Sequence, residues 1–195
     1  AYDAPHVAAF SLSMWNEQLN LAVAAEVKSR WPECLVVFGG PQVPHEPTSY
    51  MQQHAFIDIA VRGEGEETFG DILCRHLESR DFSGIPGVSF REEGSGAIVC
   101  AGDDRPFQRS LDDYPSPYLE GLYDELIAAQ GENLEFQAII ETNRGCPFKC
   151  TFCFWGRGGL SRKYRYHSMD RVFAEIDWCG RNGIQYVFNA DSNFG

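Results

Sequence analysis

No apolar stretch in the 195 residues approaches the ~20 needed to cross a bilayer, so no membrane-spanning helix is expected. Positive charge is scarce: 16 Lys and Arg stand against 28 Asp and Glu, for a formal charge of -12. A chain this acidic repels an extended phosphate backbone, which argues against a nucleic-acid partner. Nothing at the N-terminus resembles a secretory signal, and the seven cysteines are an odd number in a chain that is not small. A disulfide framework is therefore not expected, and reduced thiols make the cytoplasm the default compartment. Internal repeats and low-complexity runs are absent too.

What is present suits a globular protein. Hydrophobic residues make up 44% and aromatic residues 13%, enough for one large domain or two small ones. The most informative stretch is Arg144-Gly145-Cys146-Pro147-Phe148-Lys149-Cys150-Thr151-Phe152-Cys153, with three cysteines in eight residues. Thiolates are soft ligands suited to iron–sulfur clusters, zinc and cuprous copper. Structural zinc wants a fourth ligand, and no further Cys or His lies near this loop. A cubane held by three thiolates keeps one iron open, which gives a reason to stop at three. From spacing alone, a partial zinc knuckle and metal-free thiols stay open as alternatives. The apolar run Phe136 to Ile140 reads as a strand, so the loop leaves a strand's carboxyl end, where α/β folds place their chemistry.

Upstream, Val7–Leu12, Cys34–Phe38 and Ile57–Val61 read as buried strands. Helices are expected between and after them. The first runs from an Asn16 cap to Arg30 with Leu19, Val23, Val27, Leu21 and Ala24 inward; the second covers about Ser49 to His54. The third spans Thr68 to Arg80 with Phe69, Ile72, Leu73 and Leu77 on one face. Alternating strands and helices argue for an α/β fold with a parallel sheet covered on both sides. Gly39 and Gly40 follow the second strand, either as a tight turn or as a place where backbone approaches a ligand. Gly87–Arg91 and Ala97–Cys100 flank a glycine turn and read as a β-hairpin. Residues 111–118, rich in turn formers and carrying two prolines, mark a semi-rigid connector.

Beyond the cysteines, Arg157, Arg162, Lys163 and Arg165 form a basic cluster, either a solvated loop or a contact for an anion. Ser168 caps a helix expected to bury Met169, Val172, Phe173, Ile176 and Cys179, closed by Gly183. Ile184–Phe188 is the next strand, and it delivers Asn189-Ala190-Asp191-Ser192-Asn193-Phe194-Gly195 to the edge that carries the cysteines.

Cys146-x-x-x-Cys150-x-x-Cys153, with Phe152 before the last cysteine, resembles the radical S-adenosylmethionine (radical SAM) signature. Ser11-Leu12-Ser13-Met14-Trp15-Asn16, Val36-Val37-Phe38-Gly39-Gly40-Pro41 and Val61-Arg62-Gly63-Glu64-Gly65-Glu66 resemble, in order, the cobalamin-binding domain ahead of many radical SAM barrels. The resemblance implies a Rossmann-like, doubly wound cobalamin domain over 1–104 lacking its first strand. It further implies a linker over 105–134 and the first β-α-β of a truncated, partial TIM-type barrel over 135–195. It implies that Cys146, Cys150 and Cys153 bind a 4Fe–4S cluster whose open iron chelates S-adenosylmethionine, from which a 5′-deoxyadenosyl radical is released. Phe152 then packs near the adenine. Ser11 or Ser13, with Gly39 and Gly40, contacts the cobalamin tail, and Gly63 and Gly65 lie along the same edge. The family's Asp-x-His-x-x-Gly loop is absent, and His6, His45, His54 and His76 are each expected as exposed loop residues rather than cobalt ligands. Where many barrels carry Gly-Gly-Glu, this chain has Ala-Asp-Ser-Asn-Phe-Gly, similar to a methylase-like subgroup. Asp191 and Asn193 are carried over as S-adenosylmethionine contacts, with a helix-capping turn as the plain alternative. The implied enzyme is a cobalamin-dependent radical SAM methyltransferase acting on an unactivated carbon or phosphorus centre of a small-molecule or peptide substrate. A flavodoxin or ferredoxin would supply electrons. A cyclisation or rearrangement enzyme and a non-catalytic cobalamin- or cluster-binding module are the alternatives.

Overall fold

The computed structural model describes residues 4–100, 102–129, 135–148, 150–153 and 164–194. The chain divides into two compact units, Ala1–Phe107 and Gln108–Gly195.

In the first unit, β1 (Val7–Ser11), β2 (Leu35–Gly39) and β3 (Ile59–Val61) run parallel, with β2 between the other two. β2 is buried on both faces, as a central parallel strand must be. Its residues alternate between two cores. Val36 and Phe38 join Leu12, Leu21, Ala24, Met51 and Ile57 on one side; Leu35 and Val37 join Ile59, Ile72, Phe82 and Val88 on the other. The helices α1 (Glu17–Arg30), α2 (Thr48–Gln53) and α3 (Glu66–Glu78) connect the strands or follow the last of them. The hairpin β4 (Val88–Arg91) and β5 (Ile98–Cys100) adds to β3 in antiparallel sense. The sheet is therefore mixed, parallel-rich and five-stranded rather than wholly parallel. Arg105 closes the unit by donating to Thr68 Oγ1 at 2.9 Å and pairing with Glu67 and Asp71 along α3.

Two helix faces differ from the periodicity. On α1, Leu21 and Ala24 are buried while Leu19 and Val23 face solvent, because apolar and polar residues are spread evenly around the helix and periodicity cannot choose a side. On α3, Leu77 is exposed, and the buried stripe holds Ile72 with Thr68, whose hydroxyl is satisfied by Arg105. The histidines also divide. His6 and His45 are exposed, but His54 is held between Tyr50 and Phe56, and His76 lies on α3 with Nδ1 buried and unpartnered.

In the second unit, β6 (Gln137–Ile140) pairs in parallel with β9 (Tyr186–Asn189), and α5 (Met169–Arg181) crosses between them. Ala138 and Ile140 bury against Trp178 and Cys179 of α5. Ser168 Oγ accepts from Arg171 N at 3.2 Å as the N-cap, and Gly183, at φ 68°, ends the helix. The inward face of α5 is shifted from expectation: Val172, Glu175, Trp178 and Cys179 are buried, whereas Met169, Phe173 and Ile176 are exposed. Glu175 sits inside because Arg171 Nε meets it at 3.1 Å. Residues 108–129, inside the stretch read as a connector, fold onto this unit through a 3-10 turn at Leu111–Asp113 and α4 (Asp124–Ala128). Tyr118 packs on Trp178, and its hydroxyl both accepts from Ile139 N (2.9 Å) and donates to Ile139 O (2.7 Å), satisfying β6's outer edge.

Candidate functional site

The cysteine loop begins where β6 ends. β7 (Asn143–Arg144) and β8 (Arg165–Tyr166) form a short antiparallel pair, so the cysteines follow directly on one strand of a hairpin whose two paired strands are its fixed feet. Gly145, at φ 90°, turns the chain into it. All three cysteines are free; Cys146 and Cys153 are half-buried and Cys150 is exposed. A turn closes Cys150 on Cys153, whose N donates to Cys150 O at 3.2 Å. Among the described residues, no group of three or more His, Cys, Asp or Glu side chains is gathered to hold one metal ion. A cubane makes a different demand, because its thiolates sit on separate corners. The donor set of three accessible soft thiolates on a footed loop fits that group. Phe152 is exposed beside Cys153. Arg157, Arg162 and Lys163 of the basic cluster lie outside the described residues, while Arg165 donates to Gln108 O at 2.8 Å.

The first foot is held from β9. Asp191 Oδ1 accepts from Thr142 N (2.6 Å) and Asn143 N (3.1 Å), and Oδ2 accepts from Thr142 Oγ1 (2.5 Å). Burial pushes the Asp191 carboxyl up, but these hydrogen bonds together outweigh it and hold the carboxyl below its ordinary range. Asn143, itself buried, donates from Nδ2 to Thr142 Oγ1 (3.2 Å) and to Asn193 O (3.4 Å). Its Oδ1 is buried without a partner, an acceptor that a donor-bearing ligand would satisfy. Next along, Arg144 is held by Glu141 at 2.7 Å and lies over the Tyr114 ring at 5.3 Å. The second foot is tied by His167 N donating to Thr142 O (3.0 Å), and by Asp112 accepting from Ser168 N (3.0 Å). Hydrogen bonds from Ser168, then from His167, hold the Asp112 carboxyl below its usual range.

In the first unit, the parallel register sets Ser11 beside Gly39. Gly40 and Gly63 follow the ends of β2 and β3, so Ser11, Gly39, Gly40 and Gly63 share the carboxyl edge of the sheet. Ser13 N donates to Asn16 Oδ1 (2.8 Å), while Asn16 and Asn20 both donate to Ser11 O (3.1 and 3.0 Å). The asparagine thus braces the loop before α1 instead of capping the helix with its side chain. A Cβ on Gly40 would lie 2.6 Å from Leu12 O, whereas around Gly63 and Gly65 there is open space. Arg62 ties the Gly63–Gly65 loop down, pairing with Asp104 at 2.8 Å and donating to His45 O at 3.0 Å. Sequence reading missed Arg62, Thr142 and Tyr118, whose roles depend on partners distant in the chain, and gave Asn16 the helix cap rather than the loop it braces. A cleft of about 830 Å3 lined by Lys28, Cys34, Asp58, His76 and Arg91 opens at the other end of the sheet, at the amino ends of β2 and β3.

No family model matches the chain. Two relatives match 193 residues, 98% of the chain and 28% of their own length. One, from Streptomyces tokunonensis, is the cobalamin-dependent radical SAM methyltransferase TokK, 40% identical. The other, from Streptantibioticus cattleyicolor, is 2-(S-pantetheinyl)-carbapenam-3-carboxylate methyltransferase, 39% identical. The chain therefore spans a little over a quarter of these curated relatives. Among solved structures, the radical S-adenosylmethionine methyltransferase TsrM of Kitasatospora setae, with cobalamin and a [4Fe-4S] cluster bound, aligns with TM-score 0.65 and 17% identity. That alignment covers 98% of this chain and 38% of TsrM, and it shows a shared fold. No helix among the described residues is long and apolar enough to cross a membrane. Over nearly its whole length, this chain is similar to the corresponding part of a cobalamin-dependent radical SAM methyltransferase and of a second methyltransferase.

Proposed function

We propose that this chain is part of a cobalamin-dependent radical SAM methyltransferase. One observation carries the reading: Cys146, Cys150 and Cys153 stand on a footed loop at the carboxyl end of β6, in a chain 40% identical to TokK. On this reading the first unit is a Rossmann-like cobalamin domain, and β6, α5 and β9 open a partial barrel. The parallel β1-β2-β3 arrangement and the parallel β6–β9 pair support both assignments.

Cys146, Cys150 and Cys153 are the cluster ligands. When bound, the cluster with S-adenosylmethionine supplies a radical that removes a substrate hydrogen, and cobalamin supplies the methyl group. The protein's own share is positioning and exclusion of water. The exposed Phe152 ring offers a flat face to adenine, and the orphan Asn143 Oδ1 offers an acceptor to a donor on S-adenosylmethionine, beside Asn193. In the first unit, Ser11, Ser13, Gly39, Gly40, Gly63 and Gly65 are the proposed cobalamin edge, the last two because nothing fills the space around them. The substrate is a small molecule with an unactivated carbon. A pantetheinyl carbapenam, on which the 39% identical relative acts by its name, is the first to try.

The test uses the full-length protein, reconstituted anaerobically with iron, sulfide and cobalamin and given methyl-labelled S-adenosylmethionine. Label in the carbapenam product together with 5′-deoxyadenosine is expected, and both are lost in Cys150→Ala. 5′-Deoxyadenosine with an unlabelled but ring-altered product would replace methyl transfer with cyclisation or rearrangement. Its absence after reduction would leave a binding module.

A further inference from the structure

We propose that Asp191 is a positioning residue that clasps the first foot of the cysteine loop, fixing the peptide units at Thr142 and Asn143 from which Cys146 departs. The inference rests on the reading above that this loop carries a cluster.

Both carboxylate oxygens are already engaged inside the fold. Oδ1 accepts from two consecutive main-chain amides, Thr142 N and Asn143 N, and Oδ2 accepts from the Thr142 hydroxyl. Asp191 is itself held: its N donates to Asn189 Oδ1 at 2.7 Å, and Ala190 N donates to Ile140 O at 2.9 Å, continuing the β6–β9 pairing. A carboxylate braced this way has a fixed position relative to β6. Turning it toward a ligand would strip acceptors from two amides, one belonging to the buried Asn143. Thr142 O also accepts from His167 N, so the residue that Asp191 grips anchors both ends of the hairpin. A loop with fixed feet samples fewer conformations before its thiolates meet a cluster, and supporting hydrogen bonds of this kind set how firmly a site is held.

The test again uses the full-length protein. In cluster-free Asp191→Ala, hydrogen exchange at the Thr142 and Asn143 amides should rise on the order of ten- to a hundredfold. In the reconstituted variant, EDTA should bleach the cluster about tenfold faster than in wild type, and the EPR signal of the reduced cluster should shift. Asp191→Asn, which keeps an Oδ1 acceptor, should restore most of the amide protection. Thr142→Val, which loses only the hydroxyl arm, should show a smaller change in the same direction. These two variants carry the test if the alanine variant does not fold. Unchanged exchange overturns the clasp. Faster exchange with unchanged EDTA bleaching and an unchanged EPR signal overturns its positioning role. Weakened S-adenosylmethionine binding with both other readouts at wild type makes Asp191 a ligand contact instead. A wild-type protein that takes up no cluster, or a Cys150→Ala variant that keeps it, sinks the cluster reading alone. In that case the exchange measurement still decides whether Asp191 holds the foot.

Discussion

The neighbouring glycines Gly39 and Gly40 should respond very unequally to the same substitution. Gly40 has φ 99°, and a Cβ built on it lies 2.6 Å from Leu12 O, 2.8 Å from Leu12 N and 3.2 Å from Ser11 Oγ. The left-handed backbone costs a non-glycine residue about 1–2 kcal/mol. Forcing a methyl against fixed backbone adds about 1–3 kcal/mol. Gly40→Ala should therefore destabilise the first unit by roughly 3 kcal/mol, a fall in Tm of about 12–24 °C for a unit of this size. Gly39 has an ordinary φ, and its Cβ would meet only Val61 Cβ, at 3.9 Å. Gly39→Ala should stay within about 0.5 kcal/mol of wild type, since replacing a strand glycine also reduces unfolded-state freedom. Urea unfolding read by hydrogen exchange of peptides covering β1 and β2 isolates this unit from the other. A Gly40→Ala variant as stable as wild type, or a Gly39→Ala variant equally damaged, would refute the steric argument. The contrast bears on function. The fold alone explains Gly40, so cobalamin retention in Gly39→Ala and Gly65→Ala proteins is the sharper probe of the proposed cofactor edge.

Asp58 Oδ2 accepts from Lys28 Nζ and Val36 N, each at 2.7 Å, and Lys28 also donates to Cys34 O at 2.8 Å. Asp58→Ala should cost about 2–4 kcal/mol in urea unfolding, the partial exposure of both side chains keeping it below a fully buried pair, and Lys28→Met added to it should cost less than the two changes summed. Acid should act on the second unit through Asp191 and Asp112, whose folded carboxyls lie below the ordinary value. Their stabilisation is complete above the unfolded pKa of about 3.9 and drains as pH falls from there through the folded value. Asp191→Asn should flatten that part of the stability–pH curve, and an unchanged slope would count against the carboxylate's hydrogen bonds.

The strands and the helix ends were readable because short-range chemistry sets them. Val36–Phe38 is an unbroken apolar run, Ser168 presents its hydroxyl to the first turn of α5, and Gly183 supplies the left-handed stop. Helix faces were less readable wherever a polar residue is buried against a hydrogen-bonding partner. Glu175 takes an inward position on α5 that hydropathy would give to Phe173 or Ile176, and it does so because Arg171 neutralises it and also donates to Tyr114 O. Thr68 displaces Leu77 on α3 in the same way, through Arg105. Sequence periodicity ranks residues by transfer preference and carries no information about a hydrogen-bond partner forty residues away.

The cysteine loop combines both kinds of information. Its ligands are local and legible: three thiols in eight residues, with a turn closing the last two. Its supports are not, because each foot is tied by a residue about fifty positions distant: Asp191 to Thr142, and Asp112 to Ser168. That division has a chemical reason. A cluster chooses its ligands by softness and reach, which a short motif can encode. The precision with which they are presented depends on what holds the two ends of the hairpin, and the parallel neighbour of β6 is reached only across a helix. The Asp of Ala-Asp-Ser-Asn-Phe-Gly therefore stands at the end of β9, beside the foot it grips, because β9 is the parallel neighbour of β6.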